Sequence, residues 1–446
     1  MRRLARLLTF GGVVVIVLGL SKVHASSIAD LPYDFTGSFR FAWAIAYIVL
    51  LSVAGYGFGL PDLPRSWRAA ALAGVGASAS AAIGISVVQL VVGDALLPRF
   101  VVFGSALLLI PWDVGMNALA RQGRRQSEDR DRVVLVGTAE ELARLEGDLR
   151  LIPERPAVLV GHLGPGGAQA GDGAKPLVDL VLTEGASLVV LDRSALVDAE
   201  AVAQAAALHE AGVRVRTLLQ FYEEWLGKLP VGELERASLF FDIGEVHRAR
   251  YGRLKRLIDV VVGTIGLIPL ALAVPVVWIG NRIANRGPLL YRQVRVGRNG
   301  DLFEILKFRT MVDGPATSSE GSAWTEVDDP RITRFGRLLR TSHLDELPQM
   351  LNIVRGQLSV VGPRPEQPHY VEQLSASLPF YGMRHLVRPG LTGWAQVKYG
   401  YAGDERDALE KLQYEFFYLR HQGLRFDLRV MGRTVRSVVG TEGGGR

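Results

Sequence analysis

The sequence predicts three parts in series: an N-terminal membrane α-helical bundle of four spans, a Rossmann-like α/β middle domain, and a mainly α-helical C-terminal domain held to one membrane face by a re-entrant helix. Three observations predict it. Four apolar runs fill the first 120 residues, short buried strands alternate with Ala-rich helical stretches from about 130 to 240, and a proline-broken apolar run of 24 residues follows at Leu257–Gly280. At 446 residues the chain is too long for one domain, and 48% hydrophobic residues with a positive mean hydropathy make it too apolar for a fully soluble one. It has no cysteine, which excludes a disulfide framework and any thiolate metal site. The net charge of +6 is modest, and no basic module interleaved with aromatics points to nucleic acid; a membrane surface is the better partner for these cations.

The first run, Leu7–Leu20, follows a basic start and has no convincing small-residue cleavage site after it. A signal peptide is the alternative, but three further runs favour a retained span. Phe41–Leu60 and Ala69–Gly93 carry no charge, and each can cross a hydrocarbon core of roughly 30 Å. The fourth, Phe100–Ala120, is interrupted by Asp113. Cations flank the runs at Arg2, Arg3 and Arg6, at Arg65 and Arg68, and at Arg121, Arg124 and Arg125. By the positive-inside rule these ends are cytoplasmic, with His24–Arg40 and Asp94–Arg99 outside.

After a polar linker at 122–131, Arg132–Gly137 reads as a buried strand and Ala139–Leu149 as a helix, with later strands at Ala157–Gly161, Leu188–Asp192 and Val213–Leu218. This alternation makes a small parallel α/β domain. Its first turn, Gly137-Thr138-Ala139-Glu140, lacks the G-x-G-x-x-G fingerprint and puts a carboxylate where a pyrophosphate needs amides. The domain therefore reads as non-catalytic or regulatory.

Leu257–Gly280 has the length of a transmembrane helix, but Arg253, Lys255 and Arg256 precede it and Arg282 and Arg286 follow it. Positive charge on both sides keeps both ends in the cytoplasm. Pro269 and Pro275 suit a segment that enters one leaflet and turns back. A plain fifth span is the alternative. Beyond it, Phe303–Met311 alternates, so Lys307 and Arg309 share a strand face; taken alone, that face reads as solvated.

The stretch Arg340–Pro365 places the carboxylates Asp345 and Glu346 between Arg340 and the rigid turn Gly362-Pro363-Arg364-Pro365. Adjacent acids flanked by cations suit a phosphate ester and a divalent metal. Leu347, Met350, Leu351 and Val354 fall at helical spacing, so a helix begins near Asp345 with Asp345 as N-cap, Ser342 being the competing cap. Pro348 is tolerable only in its first turn. Capping alone is a sufficient reading of the pair at this level.

From about Arg253 to Gly440 the chain closely resembles the bacterial sugar transferase family. The residues that carry the resemblance are Lys255-Arg256-Leu257-Ile258-Asp259, Arg298-Asn299-Gly300, Lys307-Phe308-Arg309-Thr310-Met311, Leu344-Asp345-Glu346-Leu347-Pro348-Gln349, Gly362-Pro363-Arg364-Pro365 and Arg388 through Val397. The parts before 250 resemble its large members more weakly. The resemblance implies a monotopic catalytic domain that moves a sugar-1-phosphate from a UDP-sugar to undecaprenyl phosphate and releases UMP, the first membrane step of exopolysaccharide, O-antigen or capsule synthesis. It implies Asp345 as nucleophile, Glu346 as Mg²⁺ ligand, and Lys307, Arg340 and Arg364, with Arg309 as a weaker candidate, as phosphate or nucleotide contacts. It also implies a multi-pass protein of the bacterial inner membrane with its catalytic domain on the cytoplasmic face, and it admits a homodimer.

The expected layout is a transmembrane region over 1–121, the linker, the α/β domain over 132–245, the catalytic domain over 250–440 with its re-entrant helix at 255–282, and a disordered tail at 441–446. Two departures stand out. Ala271-Leu272 occupies the place of the Ser-Pro pair that many members carry at the bend, so the bend falls at Pro269 or Pro275. The usual Asn-rich sequence after Ala395-Gln396-Val397 is replaced by Lys398-Tyr399-Gly400-Tyr401, which leaves the sugar unnamed. A glycosyltransferase that moves sugar without phosphate, and a non-enzymatic scaffold, are the rival readings.

Overall fold

The structure, a computed structural model, describes residues 2–60, 64, 66–92, 97–125, 131–151, 157–169, 174–230, 245–285, 287–312, 331–399 and 405–439. The chain divides into two units, one of residues 1–123 with 243–446 and one of residues 124–242. The expected tail at 441–446 lies outside the described residues, as do 126–130 of the expected linker.

The first unit begins with α1 (Arg2–Val23), prolonged by a π-turn at His24–Ile28, then α2 (Phe39–Gly57), α3 (Trp67–Val92) and α4 (Arg99–Arg125). Helix α4 takes in residues 122–125, which the sequence reading gave to the linker, running on through Gly123 to the basic pair. One apolar cluster draws on all four helices, with Val13 and Val17, Tyr47 and Leu51, Ala81 and Ile85, and Val101 and Leu109. Small residues face inward along α3 at helical spacing, Ala70, Ala73, Ala77 and Ala81, which lets neighbouring backbones approach. Outward faces stay apolar, with Leu7, Val15, Leu72, Phe103 and Leu107 all exposed. An apolar outside is what a helix bundle in lipid presents. Polar groups turn inward instead: Ser105 donates to the Tyr47 hydroxyl at 3.4 Å, and Asp113 is buried.

The second unit runs β1 (Asp131–Val136), α5 (Ala139–Leu151), β2 (Ala157–Leu163), α6 (Pro176–Thr183), β3 (Leu188–Leu191), α7 (Arg193–Val197), α8 (Ala199–Glu210), β4 (Arg214–Thr217) and α9 (Leu218–Phe221). All four strands are parallel, in the order β2-β1-β3-β4. Val133 and Leu135 pack toward α5, while Val134 and Val136 pack toward α6 and α8. A sheet covered on both faces needs continuous apolar strands, which is why β1 reads as an uninterrupted run. The 3-2-1-4 order of dinucleotide-binding halves would put β3 outside β2; here β3 lies on the other side of β1, as in the 2-1-3-4-5 series. That order places a ligand crevice beyond the ends of β1 and β3. In this chain Asp192 reaches into that position: its carboxylate accepts the Thr138 amide at 2.9 Å and caps α7 through the Ala195 amide at 2.8 Å.

The first unit resumes with α10 (Glu245–Ala284), β5 (Leu290–Val296), β6 (Leu302–Phe308), α11 (Arg334–Thr341), α12 (Gln349–Arg355), β7 (Ser359–Val361), α13 (Pro368–Ser377), β8 (Gly390–Thr392), α14 (Trp394–Lys398), α15 (Glu405–His421) and α16 (Leu424–Val439). Helix α10 continues through both Pro269 and Pro275, each of which removes one backbone donor. Among the described residues five helices are long and apolar enough to cross a membrane, four from the N-terminal bundle plus α10. Strands β5 and β6 form an antiparallel hairpin that pairs Tyr291 with Lys307, and β7 and β8 form a short parallel pair.

Among the C-terminal helices, α15 buries Leu412, Tyr414, Phe416, Tyr418 and Leu419 in the core with Trp394 and Phe426. Dense aromatics win there because each removes a large apolar area from solvent. Helix α16 sets Phe426 and Val430 inward and leaves Arg425 and Arg429 exposed. It crosses α2 where Gly57 meets Gly432. A Cβ on Gly432 would lie inside van der Waals distance of the Gly57 backbone, so only hydrogen fits. Arg429 Nη2 reaches the Tyr56 hydroxyl at 3.4 Å beside this crossing.

Candidate active site

The acid pair sits differently from its sequence expectation. Leu344–Glu346 is a 3₁₀ turn, and α12 begins only at Gln349 behind Pro348, so Asp345 caps no helix. Ser342 is not an N-cap either; its hydroxyl donates back to the Leu338 carbonyl at 2.7 Å and closes α11. Between them His343 adopts a left-handed conformation with φ 55°. That reversal lifts the chain out of α11 and turns Asp345 inward. Asp345 is buried and Glu346 half-buried.

Cations close in from three elements. The end of β6 supplies Lys307, whose Nζ donates to Glu346 Oε1 at 2.7 Å. The turn after β7 supplies Arg364, with Nη2 at 3.8 Å from the same oxygen. The last turn of α11 supplies Arg340, held against the β6 end by Nε to Thr310 Oγ1 at 3.0 Å and Nη2 to Met311 Sδ at 3.3 Å. Arg309 goes elsewhere: its guanidinium packs over Gly287 between α10 and β5, and its carbonyl accepts from Asn285 Nδ2 at 3.3 Å. Strand β6 ends at Phe308, so the shared face expected for Lys307 and Arg309 is cut off by one residue.

These neighbours push the two carboxyls apart. Burial raises Asp345 above the ordinary carboxylate range; Lys307 opposes this, and the charge of Glu346 adds to it. Burial also works to raise Glu346, but Lys307 and then Arg364 outweigh it and hold the group down at about 2. Glu346 is a fixed anion. Asp345 is the more basic of the two, which suits a group that must form a new bond.

Residues that sequence reasoning missed hold this arrangement. Asn352, fully buried on α12, accepts the Leu306 amide at 3.1 Å and donates to the Glu304 carbonyl at 2.7 Å, tying α12 to β6. A polar residue in the apolar phase of a helix was its only signal. The Lys255–Asp259 motif is structural: Arg256 donates to the Ile353 and Val354 carbonyls at 2.7 Å each, closing α12. Asp259 accepts Ser359 Oγ and the Val360 amide at 2.9 Å, and Lys255 pairs with Asp427 on α16 at 2.5 Å.

Residues 250–441 match the family described as Bacterial sugar transferase. The chain is 37% identical over 204 residues to the UDP-glucose:undecaprenyl-phosphate glucose-1-phosphate transferase of Caulobacter vibrioides, covering 45% of this chain and 74% of that protein. This chain belongs to the bacterial sugar transferase family. Two longer relatives are also 37% identical. One is the UDP-N-acetylgalactosamine-undecaprenyl-phosphate N-acetylgalactosaminephosphotransferase of Aeromonas hydrophila, with 42% of this chain and 44% of the relative aligned. The other is the glucose-1-phosphate transferase of Xanthomonas campestris pv. campestris, with 50% and 45% aligned. The chain thus spans less than half the length of these two.

Within this sugar transferase site a hard divalent cation has a partial ligand set. Among the described residues no cluster of three or more His, Asp or Glu side chains comes together. Lys307 and Arg364 both contact Glu346 through Oε1, so Oε2 and the carboxylate of Asp345 are the oxygens these residues would offer a cation. One or two carboxylates completed by phosphate oxygens and water is how Mg²⁺-type ions are held in phosphoryl-transfer sites, and the residues fit that pattern.

Proposed function

We propose that the chain is a phosphoglycosyl transferase that moves a sugar-1-phosphate from a UDP-sugar to undecaprenyl phosphate, the first membrane step in polysaccharide assembly. The observation that carries the reading is the opposite treatment of two neighbouring carboxyls: Asp345 buried and made more basic, Glu346 locked as an anion by Lys307 and Arg364. The activities for which the relatives are named supply the donor and acceptor classes.

A carboxylate oxygen of Asp345 attacks the β-phosphorus of the donor. A P–O bond forms, the bridging P–O bond breaks, and UMP leaves with the electron pair. The resulting acyl phosphate carries the sugar. An oxygen of undecaprenyl phosphate then attacks the same phosphorus and displaces Asp345, giving the lipid diphosphate sugar. Splitting one displacement into two lets each substrate be bound in turn. Lys307, Arg340 and Arg364 supply positive charge around the shifting phosphate charge, and Glu346 would hold Mg²⁺. When bound, that ion neutralises diphosphate oxygens as charge moves to the leaving group.

The membrane side of the proposal is four N-terminal spans with α10 as a re-entrant helix, the catalytic domain lying on the cytoplasmic face of the bacterial inner membrane. Helix α10 is fastened to the catalytic domain at one end through Arg256 and at the other through Asn285, while Leu270 and Val277 pack on it between. Its other face exposes Leu257, Leu272, Val276, Ile279 and Ile283. A helix held by one domain at both ends dips its apolar face into a leaflet without carrying an end across. The Rossmann-like middle domain is read as non-catalytic, with Asp192 taking the Thr138 amide that a phosphate would need.

The test uses UDP-sugars labelled in the β-phosphate with membranes containing undecaprenyl phosphate. Label in the lipid fraction together with free UMP is expected, and Asp345→Asn should abolish both. Release of UDP, or full turnover by Asp345→Asn, would overturn the proposal.

A further inference from the structure

The turn Gly362-Pro363-Arg364-Pro365 brings Arg364 to Glu346, yet its two prolines lack amide donors and anchor it only through their carbonyls. Successive carbonyls are each taken. That of Pro363 accepts the Gly390 amide at 2.8 Å, that of Arg364 accepts Arg384 Nη2 at 2.9 Å, that of Pro365 accepts Arg295 Nη1 at 3.2 Å, and that of Glu366 accepts the Val296 amide at 2.9 Å. The bond to Arg364 differs from the rest because its donor is a buried charge.

Arg384 uses its whole planar fork. Nε and Nη2 grip the Glu415 carboxylate of α15 at 2.9 and 2.7 Å, Nη1 donates to the Tyr381 hydroxyl at 2.6 Å, and Nη2 also reaches the Arg364 carbonyl. Arg384 and Glu415 are both buried. A buried ion pair is a poor source of stability compared with packed apolar residues of the same volume, so its value lies in direction. Fixed by Glu415 from behind, the guanidinium aims one N–H at a single carbonyl, that of the residue whose side chain meets Glu346.

We propose that Arg384, braced by Glu415, is a positioning residue for Arg364: it sets the place of the Arg364 guanidinium relative to Glu346 and the donor diphosphate. The inference rests on the reading of Asp345-Glu346 as the reacting pair and of Arg364 as a phosphate contact.

Removing one charge alone would leave the other buried and unpaired and could unfold the chain. The test therefore replaces both, Arg384→Met with Glu415→Met, and measures UDP binding by calorimetry on the full chain in detergent, alone and combined with Arg364→Ala. Binding needs no turnover, so every variant reports. The expected result is a melting temperature within a few degrees of the parent, UDP binding weakened about tenfold by the methionine pair and by Arg364→Ala separately, and no further weakening in the triple variant. If the pair binds UDP as the parent does, or its loss multiplies with that of Arg364→Ala, Arg384 is a fold-stabilising residue only and the inference fails while the site reading stands. If Arg364→Ala itself leaves UDP binding unchanged, the reading of Arg364 is wrong and the inference falls with it. Should the methionine pair not fold, Arg384→Lys serves in the same comparison, because an ammonium keeps the charge beside Glu415 but lacks the fork that also reaches the Arg364 carbonyl.

Discussion

Lys307 Nζ lies 2.7 Å from Glu346 Oε1, so a single charged hydrogen bond joins the end of β6 to the turn that carries Asp345. That bond works on both carboxyls, because Lys307 is the strongest lowering influence on each. Replacing Lys307 with Met should cut sugar-phosphate transfer by about two orders of magnitude, the usual scale for one charge-stabilising donor. Initial rates of lipid labelling would check it.

The same pair sets a pH dependence. In the proposed mechanism Asp345 attacks as a carboxylate; its pKa lies above the ordinary carboxylate range, so activity should be lost as pH falls through that raised value. Glu346, at about 2, stays ionised across the whole window. Lys307→Met removes the main influence lowering Asp345 and should move the acid limb of kcat/KM to higher pH. A limb that stayed in place, in profiles from about pH 4 to 8, would separate Lys307 from Asp345.

Asp345→Asn should leave no labelled acyl phosphate after acid quenching while the melting temperature holds or rises. Burial disfavours the charged carboxylate at this position, and a neutral amide escapes that cost. A variant that melts well below the parent would point to a structural duty for Asp345.

Arg256 closes the C-terminal end of α12 with two donated bonds at 2.7 Å. Arg256→Ala strips the charged donor from both carbonyls and should destabilise the catalytic domain by roughly 3–6 kcal/mol, since hydrogen bonds to charged groups contribute about 1.5–3 kcal/mol each. Thermal unfolding in detergent reads this directly, with Arg256→Lys falling between.

Gly432 allows α16 to cross α2, and Gly432→Leu should push the helices apart. The chain has no cysteine of its own, so a Tyr56→Cys, Arg429→Cys pair gives a clean cross-linking signal. The cross-link is expected in the Gly432 background and not in Gly432→Leu.

What the sequence made legible was local. Strands β1 to β4 and helix α5 fall within two residues of their expected places, because fully buried strands are written as apolar runs bounded by glycine and charge. The apolar length of the N-terminal helices was equally plain. The acid pair and its cations were found by residue type, but their geometry was not: a left-handed His343 has no composition signal, and it converts an expected N-cap into a 3₁₀ turn. Arg309 was misdirected by extending an alternation one residue past the end of β6. Arg384 and Glu415, 31 residues apart, are an ordinary arginine and glutamate in sequence, and only the tertiary fold makes them a buried pair.

The α2–α16 crossing also has a consequence for biosynthesis. Tyr56 and Arg429 stand 373 residues apart in the chain. At about 5–20 residues per second, α2 waits roughly 20–75 seconds after its own synthesis before the helix that covers Gly57 exists. The bundle is made first, yet its junction with the catalytic domain is among the last contacts to close.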